Sequence, residues 1–483
     1  MKIENICVIC CWFWVSSILM APNTLWAAEE YGVPTVKDLA DSKKFYDDPN
    51  PWYLSDKFDY KKILPARVYS ALSHDVGAME KLWNETVGFK APDEVRKIAP
   101  EIKPGTYSYK DKEQYPGLKA LMTDYHYNRF KPGAPPLAGN FPEIKIVPTK
   151  QYYYSLPIAE ATKKFAGKTK LNHETGFIRD ETYVAGYPFP RPEGKWKAYQ
   201  VYYNWIKRYL GWDSKYLLSD SRGFTRSLRE DNVIISDNWA LRLNGRVMEP
   251  FGWLDKRAQG QGEAISYSMK FYAPRDLFGN ILNRTDYLNA DKYEQLMTYV
   301  NVLRRVRLMS STDVQDAVGG GDAIYLDFDG CTQKLSMTVF PTNLEIIDET
   351  ELLFPTNHTG SAYLTSMSKG LEYHNLVWER RPVYIVKMTI LDKHFVYGHR
   401  ILYFDRETFN LYLAENYDQK GRLYRTTELI FTFVHDMGAV TYGDTLLQDH
   451  IDLHSSLAHN YTMPTPWIHR DKISLEYLFT TGK

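Results

Sequence analysis

Between Val383 and Val434 apolar and polar residues alternate more regularly than anywhere else in the chain. Tyr384, Val386, Met388 and Ile390 recur at every second position, with Lys387 and Thr389 on the opposite parity. A period of two is that of a strand with one dry face. After Leu391-Asp392-Lys393-His394 the pattern returns as Phe395, Tyr397, Ile401 and Tyr403. It breaks at Asp405-Arg406-Glu407 and resumes as Phe409, Leu411 and Leu413. Asp418-Gln419-Lys420-Gly421 reads as a turn in which Gly421 can take positive φ, and Leu429, Phe431 and Phe433 follow. Strands joined by such short connections are antiparallel neighbours, so the pattern predicts a four-stranded β-meander. Its apolar face needs a cover, either a second protein layer or a ligand.

Upstream, Trp196, Tyr199, Tyr203, Ile206 and Leu210 recur at helical spacing, with Gly211 as a stop, and predict a helix over Lys195–Leu210. Val233–Met248 returns to strand patterning, and Gly262–Tyr272 is a further strand candidate. Asp291–Leu308 supports two readings: Tyr293, Leu296, Met297, Val300 and Leu303 fit a helix, whereas Tyr299-Val300 and Val302-Leu303 fit a strand. From Glu29 to Pro148 the pattern is weaker. Asp47–Pro51 and Lys131–Pro136 are breaker clusters, with short helices expected between them over Ala66–Val87 and Tyr115–Tyr127. This part reads as an irregular extension packed on the sheet. No solenoid-length repeat is visible.

The same meander carries a family resemblance. From Val377-Trp378-Glu379-Arg380-Arg381-Pro382 through Asp405-Arg406-Glu407 to Arg425, the chain resembles an uncharacterised bacterial family, domain of unknown function 1329. Gln151-Tyr152 through Ala161-Thr162, the turn Gly186-Tyr187-Pro188-Phe189-Pro190, and Leu303-Arg304-Arg305-Val306-Arg307 agree with it, so the match spans roughly Lys150 to Leu429. That family is similar in fold to the LolA/LolB lipoprotein carriers, which wrap a curved antiparallel sheet around acyl chains. The resemblance implies a mainly β (α+β) fold: a curved antiparallel sheet or half-open β-barrel with covering helices. It makes Met297–Arg307 a strand, with Arg305 and Arg307 on one face. They would meet an anionic headgroup or simply form a solvated basic edge. It also implies partners, namely a resistance-nodulation-division type exporter and an outer-membrane protein.

Met1–Ala27 reads as a secretory signal, with Lys2 before an apolar run from Ile6 to Met20 and cleavage expected near Ala27. That run is shorter than the ~20 residues of a spanning helix. Cys7, Cys10 and Cys11 go with the signal, which leaves Cys331 and no internal disulfide, so stability must come from packing. The expected compartment is the periplasm, with peripheral association at the outer membrane. The expected divisions are a signal (1–27), an extension (28–150), the sheet domain (151–445) and a C-terminal tail (446–483). Equal numbers of acidic and basic residues and a pI near 7.2 give no electrostatic case for nucleic acid. The 37 Tyr and 12 Trp suit sheet faces and the margins of apolar grooves, or an ordinary β-rich core.

Candidate chemistry is sparse. Ala323–Gly330 resembles the nucleophile strand of haloacid-dehalogenase-like phosphatases, with Asp327 as nucleophile and Asp329 in proton transfer. Against this, Cys331 departs from that pattern, and an antiparallel meander follows where a parallel βαβ sheet is needed. The plainer expectation is a turn between strands Ile324–Phe328 and Lys334–Phe340. Gly319–Gly321 precedes a strand, whereas a phosphate cradle opens a helix. His450 and His454 would share one face of a tail helix, where imidazoles can hold zinc, although a solvated helix is the simpler reading. The sequence therefore points to a periplasmic carrier that needs no cofactor and no catalytic group. It would bind a lipid or other hydrophobic ligand with Tyr384, Val386, Met388, Phe395, Tyr397, Ile401, Tyr403, Leu411 and Leu413, assisted by Arg305 and Arg307. An adaptor whose concave face is filled by its own side chains, and the Asp327/Asp329 phosphatase, are the alternatives.

Overall fold

The computed structural model describes residues 60–64, 66–309, 315, 322–327, 333–356, 363–364, 371–374, 376–464 and 473–481. The expected signal, Gly319–Gly321, Asp329 and Cys331 lie outside the described residues. In chain order the strands are β1 (Gly105–Ser108), β2 (Glu143–Ile146), β3 (Ser214–Phe224), β4 (Glu230–Arg242), β5 (Asn244–Arg246) and β6 (Gly252–Trp253). There follow β7 (Glu263–Ala273), β8 (Ile281–Tyr287), β9 (Gln295–Val300), β10 (Arg305–Met309), β11 (Thr342–Pro355), β12 (Tyr363–Leu364) and β13 (Tyr373–His374). The last six are β14 (Val377–Ile390), β15 (Tyr397–Asp405), β16 (Leu411–Asp418), β17 (Leu423–Val434), β18 (Ala439–Asp449) and β19 (His454–Pro464).

Fifteen strands share one sheet, in the order β1-β2-β14-β15-β16-β17-β18-β19-β3-β4-β7-β8-β9-β10, with β11 also paired to β14. Apart from a two-residue parallel contact between β2 and β14, every pairing in it is antiparallel. Among the described residues no pairing joins β1 to β10, so the sheet is unclosed. The expected meander is present and longer than the pattern implied, because β18 and β19 extend it. Residues 446–464, expected as part of a tail, instead lie in the middle of the sheet, and His450 and His454 flank a hairpin turn instead of sharing a helix face. Their strand was hidden because its dry parity includes Ser455 and His459. Both are buried and hydrogen bonded, Ser455 Oγ accepting from Ala138 N and His459 meeting Asp444.

The two faces of the sheet have different covers. On one, Tyr216, Leu218, Trp239, Leu446 and Leu457 pack against Leu64, Val68, Leu118, Leu121, Phe130 and Ile144 of the N-terminal region. On the other, Tyr384, Val386, Leu402, Phe404 and Phe431 pack against Tyr199, Tyr202 and Trp205 of the Lys197–Ile206 helix. That helix replaces the expected Lys195–Leu210 element. The short N-terminal helices Ala66–Leu72, Val76–Val87 and Pro116–Leu121 fall within the two expected stretches, and Asp124–Arg129 runs two residues past the second.

One register departs from expectation. Val386 pairs with Leu402 and Tyr384 with Phe404, which leaves Ile401 and Tyr403 on the opposite face, across from Lys387 and Ile385. The run Ile401–Phe404 is apolar at four consecutive positions, and a bulge between Tyr397 and His399 shifts the parity before it. A strand covered on both faces carries no alternation to read. Between Asp291 and Leu308 the strand reading holds, but as a hairpin: β9 and β10 reverse over Asn301–Leu303, with Arg304 at φ 48°.

Candidate functional site

The Lys197–Ile206 helix fills the sheet face over β14 to β17, its Trp205 ring meeting Phe404 and Phe431. Farther along the same face the filling stops. A cavity of about 420 Å³ opens over β4, β7 and β8. Its floor follows from ladder register: Ala240 pairs with Tyr267 and Tyr267 with Arg284, while Arg242 pairs with Ile265 and Ile265 with Asp286. Paired residues share a face, so all six point the same way. The last turn of the helix supplies Tyr203 and Ile206, the chain leaving it Lys207 and Leu210, and Phe177, Ile178 and Asp180 come from the segment before it. Tyr287–Asp291 and Lys334–Thr338 complete the wall.

Eight charged groups of the wall are arranged as four pairs. Arg284 clasps Asp286 in two contacts of 2.5 and 2.9 Å, and Lys334 Nζ lies 2.9 Å from Glu294. Lys207 Nζ lies 3.5 Å from Asp180, and Arg242 Nε 3.4 Å from Asp213. Asp213 also accepts from the backbone N–H groups of Val247 and Met248 at 2.8 and 2.9 Å, so it is fixed by the fold. Burial pushes the Asp286 carboxyl up to about 6 against the pull of Arg284. Burial likewise raises Asp180 and lowers Lys207, each opposed by the other.

Such a lining combines apolar surface with charges that are already compensated. Ser336 is committed to a turn: its Oγ donates to Asp291 at 2.5 Å and accepts from the N–H groups of Thr338 and Val339. Among the described residues, no group of three His, Cys, Asp or Glu side chains is placed to hold a metal ion.

None of the residues singled out from the apolar alternation lines this cavity. Tyr384, Val386, Met388 and Leu411 belong to the core on the face of the Lys197–Ile206 helix, whereas Tyr403 and its ladder partner Leu413 are buried on the other face, where Tyr403 meets Phe354 and Ile401 is partly buried. Phe395 and Tyr397 join Ile324, Leu326, Phe340 and Ile390 in a smaller core. Arg305 and Arg307 are exposed on β10, an edge strand among the described residues. The alternation reported dry faces, and a filled face is as dry as a groove. What marked the cavity was the reverse signal: Arg242, Arg284 and Asp286 are charges on strand positions of one shared sheet face.

Asp327 closes the 3₁₀ turn Tyr325–Asp327, which stands where the described part of the first expected strand would lie, and among the described residues an isolated bridge, Ser336–Phe340, marks the second. Its carboxylate is 3.2 Å from Arg400 Nη1 and accepts from Tyr397 OH at 2.7 Å, with Arg425 Nη1 at 3.8 Å. Arg425 in turn holds Asp449 at 3.1 Å. This is a buried ion cluster that ties a loop to the sheet. The signature around Glu379–Arg381 and Asp405–Glu407 forms another: Arg381 holds Asp405 at 2.7 Å and Glu407 at 2.9 Å, and Glu379 accepts from Tyr152 OH. Burial drives Glu407 up to about 7 even beside that arginine.

These clusters and the strand order around them fall within residues 120–472, the span matched by the model of a family described as protein of unknown function DUF1329. The chain belongs to this family. Three solved structures are similar to parts of it. A DUF1329 family protein from Desulfovibrio piger is 11% identical over 58% of this chain and 97% of its own, with a TM-score of 0.42. A domain described as that of an outer-membrane lipoprotein-sorting protein, from Vibrio parahaemolyticus, is 14% identical over 56% and 92%, with a TM-score of 0.38. A LolA superfamily protein from Nitrosomonas europaea is 12% identical over 58% and 98%, with a TM-score of 0.36. No curated protein matches the chain. Among the described residues, no helix is long and apolar enough to cross a membrane.

Proposed function

We propose that this family member is a binding protein, a carrier for an amphipathic hydrophobic molecule held in the cavity over β4, β7 and β8. One observation carries the reading: the sheet face that is filled elsewhere is left open there, beside apolar walls and compensated charges. The volume of about 420 Å³ falls in the range of roughly 300–1,000 Å³ of small-molecule sites. Binding is driven by removing apolar surface from water, at ~25 cal/mol per Å². The ion pairs orient the polar end. The protein itself performs no chemistry. Expected export through the signal segment 1–27 makes it periplasmic, where it serves a resistance-nodulation-division type exporter and an outer-membrane protein.

The adaptor reading draws on the filled core over β14 to β17, where Trp205 and its neighbours occupy the face expected to hold cargo. One experiment separates the two. Protein isolated gently from its native envelope is extracted with organic solvent and examined by mass spectrometry, against a denatured control. A stoichiometric amphiphile, lost when Ala240→Trp fills the cavity, supports the carrier. A protein that is empty under native mass spectrometry supports the adaptor.

A further inference from the structure

Among the described residues the sheet ends at β10, and its last hairpin exposes several apolar side chains. Val302 is 84% exposed and Leu308 72%, with Leu303 and Met309 beside them. The β7–β8 turn adds Phe278, 56% exposed. The two turns are tied together: Asn301 N donates to Asn280 Oδ1 at 2.9 Å, and Asn301 Nδ2 to the Phe278 carbonyl at 3.2 Å. Phe278, Val302 and Leu303 therefore form one apolar tip. Around it stand Arg275, Arg304, Arg305 and Arg307, all exposed, against the exposed acids Asp276 and Glu476.

Ladder register gives this edge a direction. Arg284 pairs with Leu296 and Leu282 with Thr298; in the next ladder Leu296 pairs with Met309 and Thr298 with Arg307. Arg305, Arg307 and Met309 thus share the face of the sheet that floors the cavity, two strands beyond Arg284. On the opposite face Val306 packs with Tyr299, Tyr477 and Leu478.

We propose that the β9–β10 hairpin docks on a membrane surface carrying anionic lipid, with Val302, Leu303 and Phe278 entering the headgroup region and the arginines meeting phosphates. Apolar side chains at a turn tip, ringed by cations, are what an anionic interface rewards. Arginine suits phosphate because its planar fork donates in pairs. A second copy is a poorer occupant. Antiparallel pairing of two β10 edges centred on Val306 would set Arg305 of each copy against Arg307 of the other, and centred on Arg307 would set that arginine against itself; like charges across a ladder repel. Such pairing would also leave the tip residues uncovered. Docking here turns the cavity face toward the bilayer whatever the cavity contains.

The test is flotation of the purified protein with vesicles of phosphatidylcholine alone and of phosphatidylcholine mixed with phosphatidylglycerol. Binding is expected only to the anionic vesicles and is expected to weaken with salt. Each arginine removed in R305A/R307A should lower it about five-fold, R305K/R307K should keep most of it, and V302S/L303S should abolish it. A tryptophan introduced as V302W should shift its emission to the blue on anionic vesicles alone. Equal binding to both vesicle types, no binding by the unsubstituted protein, or variants that bind as it does would overturn the proposal. So would a concentration-dependent dimer in sedimentation velocity that R305A/R307A dissolves.

Discussion

Nη1 of Arg400 lies 3.2 Å from Oδ1 of Asp327, and both side chains are completely buried. With Tyr397 and Arg425 completing the shell, this carboxylate anchors a loop and is not free to attack a substrate. Asp327→Asn should therefore cost about 3–5 kcal/mol of stability, the usual penalty for stranding one partner of a buried pair. Urea unfolding followed by fluorescence reads the loss. Phosphate-ester hydrolysis should be absent before and after the change, and activity abolished by D327N would revive the phosphatase.

His454 bridges two acids, meeting Asp322 through Nδ1 and Asp231 at 3.0 Å through Nε2. The Asp322 hydrogen bond, opposed by burial, raises its pKa to about 9 from 6.5. A raised folded-state value means the folded form holds the proton more tightly than the unfolded form. The resulting stability is full below pH 6.5 and disappears as pH rises through 9. Thermal midpoints measured across that window should fall in the unsubstituted protein and stay nearly level in His454→Gln.

Gly186 shows why two distant stretches of sequence belong together. It sits at φ +81°, and a Cβ there would lie 2.4 Å from Thr162 N and 2.8 Å from the Ala161 carbonyl carbon. Tyr187 N donates to Thr162 Oγ1 at 2.9 Å in the same contact. Gly186→Ala must strain its own backbone, at about 1–3 kcal/mol, and also push a helix away. Gly167, at φ +73° with nothing within 4 Å of its Cβ position, offers the control. G167A should show the backbone strain alone, and equal midpoints for the two variants would contradict the close approach.

Asp286 supplies a pH response for the cavity. Its folded value near 6, raised by burial above 3.8, means that folding stability declines as pH rises from 3.8 through 6. Below pH 6 the carboxyl is neutral and Arg284 loses its counter-charge, with Lys334 and Glu294 also facing the site. An anionic amphiphile such as a fatty acid analogue should bind more tightly below pH 6, and D286N should fix that tighter state at neutral pH. Fluorescent-probe titration at both pH values checks the direction.

The meander was legible because turns such as Asp418–Gly421 and period-two runs such as Tyr384–Ile390 are local. The face of Ile401 and Tyr403 was not, because Ile401–Phe404 is covered on both sides. The cavity was illegible for a deeper reason. Its walls come from residues 175–180, 203–215, 240–244, 264–267, 284–294 and 334–338, and only the ladders between β4, β7 and β8 bring their charges together. Sequence revealed Arg284 and Asp286 as two charges on a strand; their mutual clasp is a property of the fold.

The ladder between β19 and β3, from Ser455 opposite Phe224 to Pro464 opposite Lys215, is the seam where two consecutive meanders become one sheet. It has a cost in time. Until residue 464 has been synthesised, β3 presents a long unpaired edge, and the joining contact closes a loop of more than two hundred residues. Contacts of that separation form late, so the nascent chain passes through two half-sheets with open, sticky margins. A chain truncated before His454 should gather into aggregates through those margins rather than merely lose a tail.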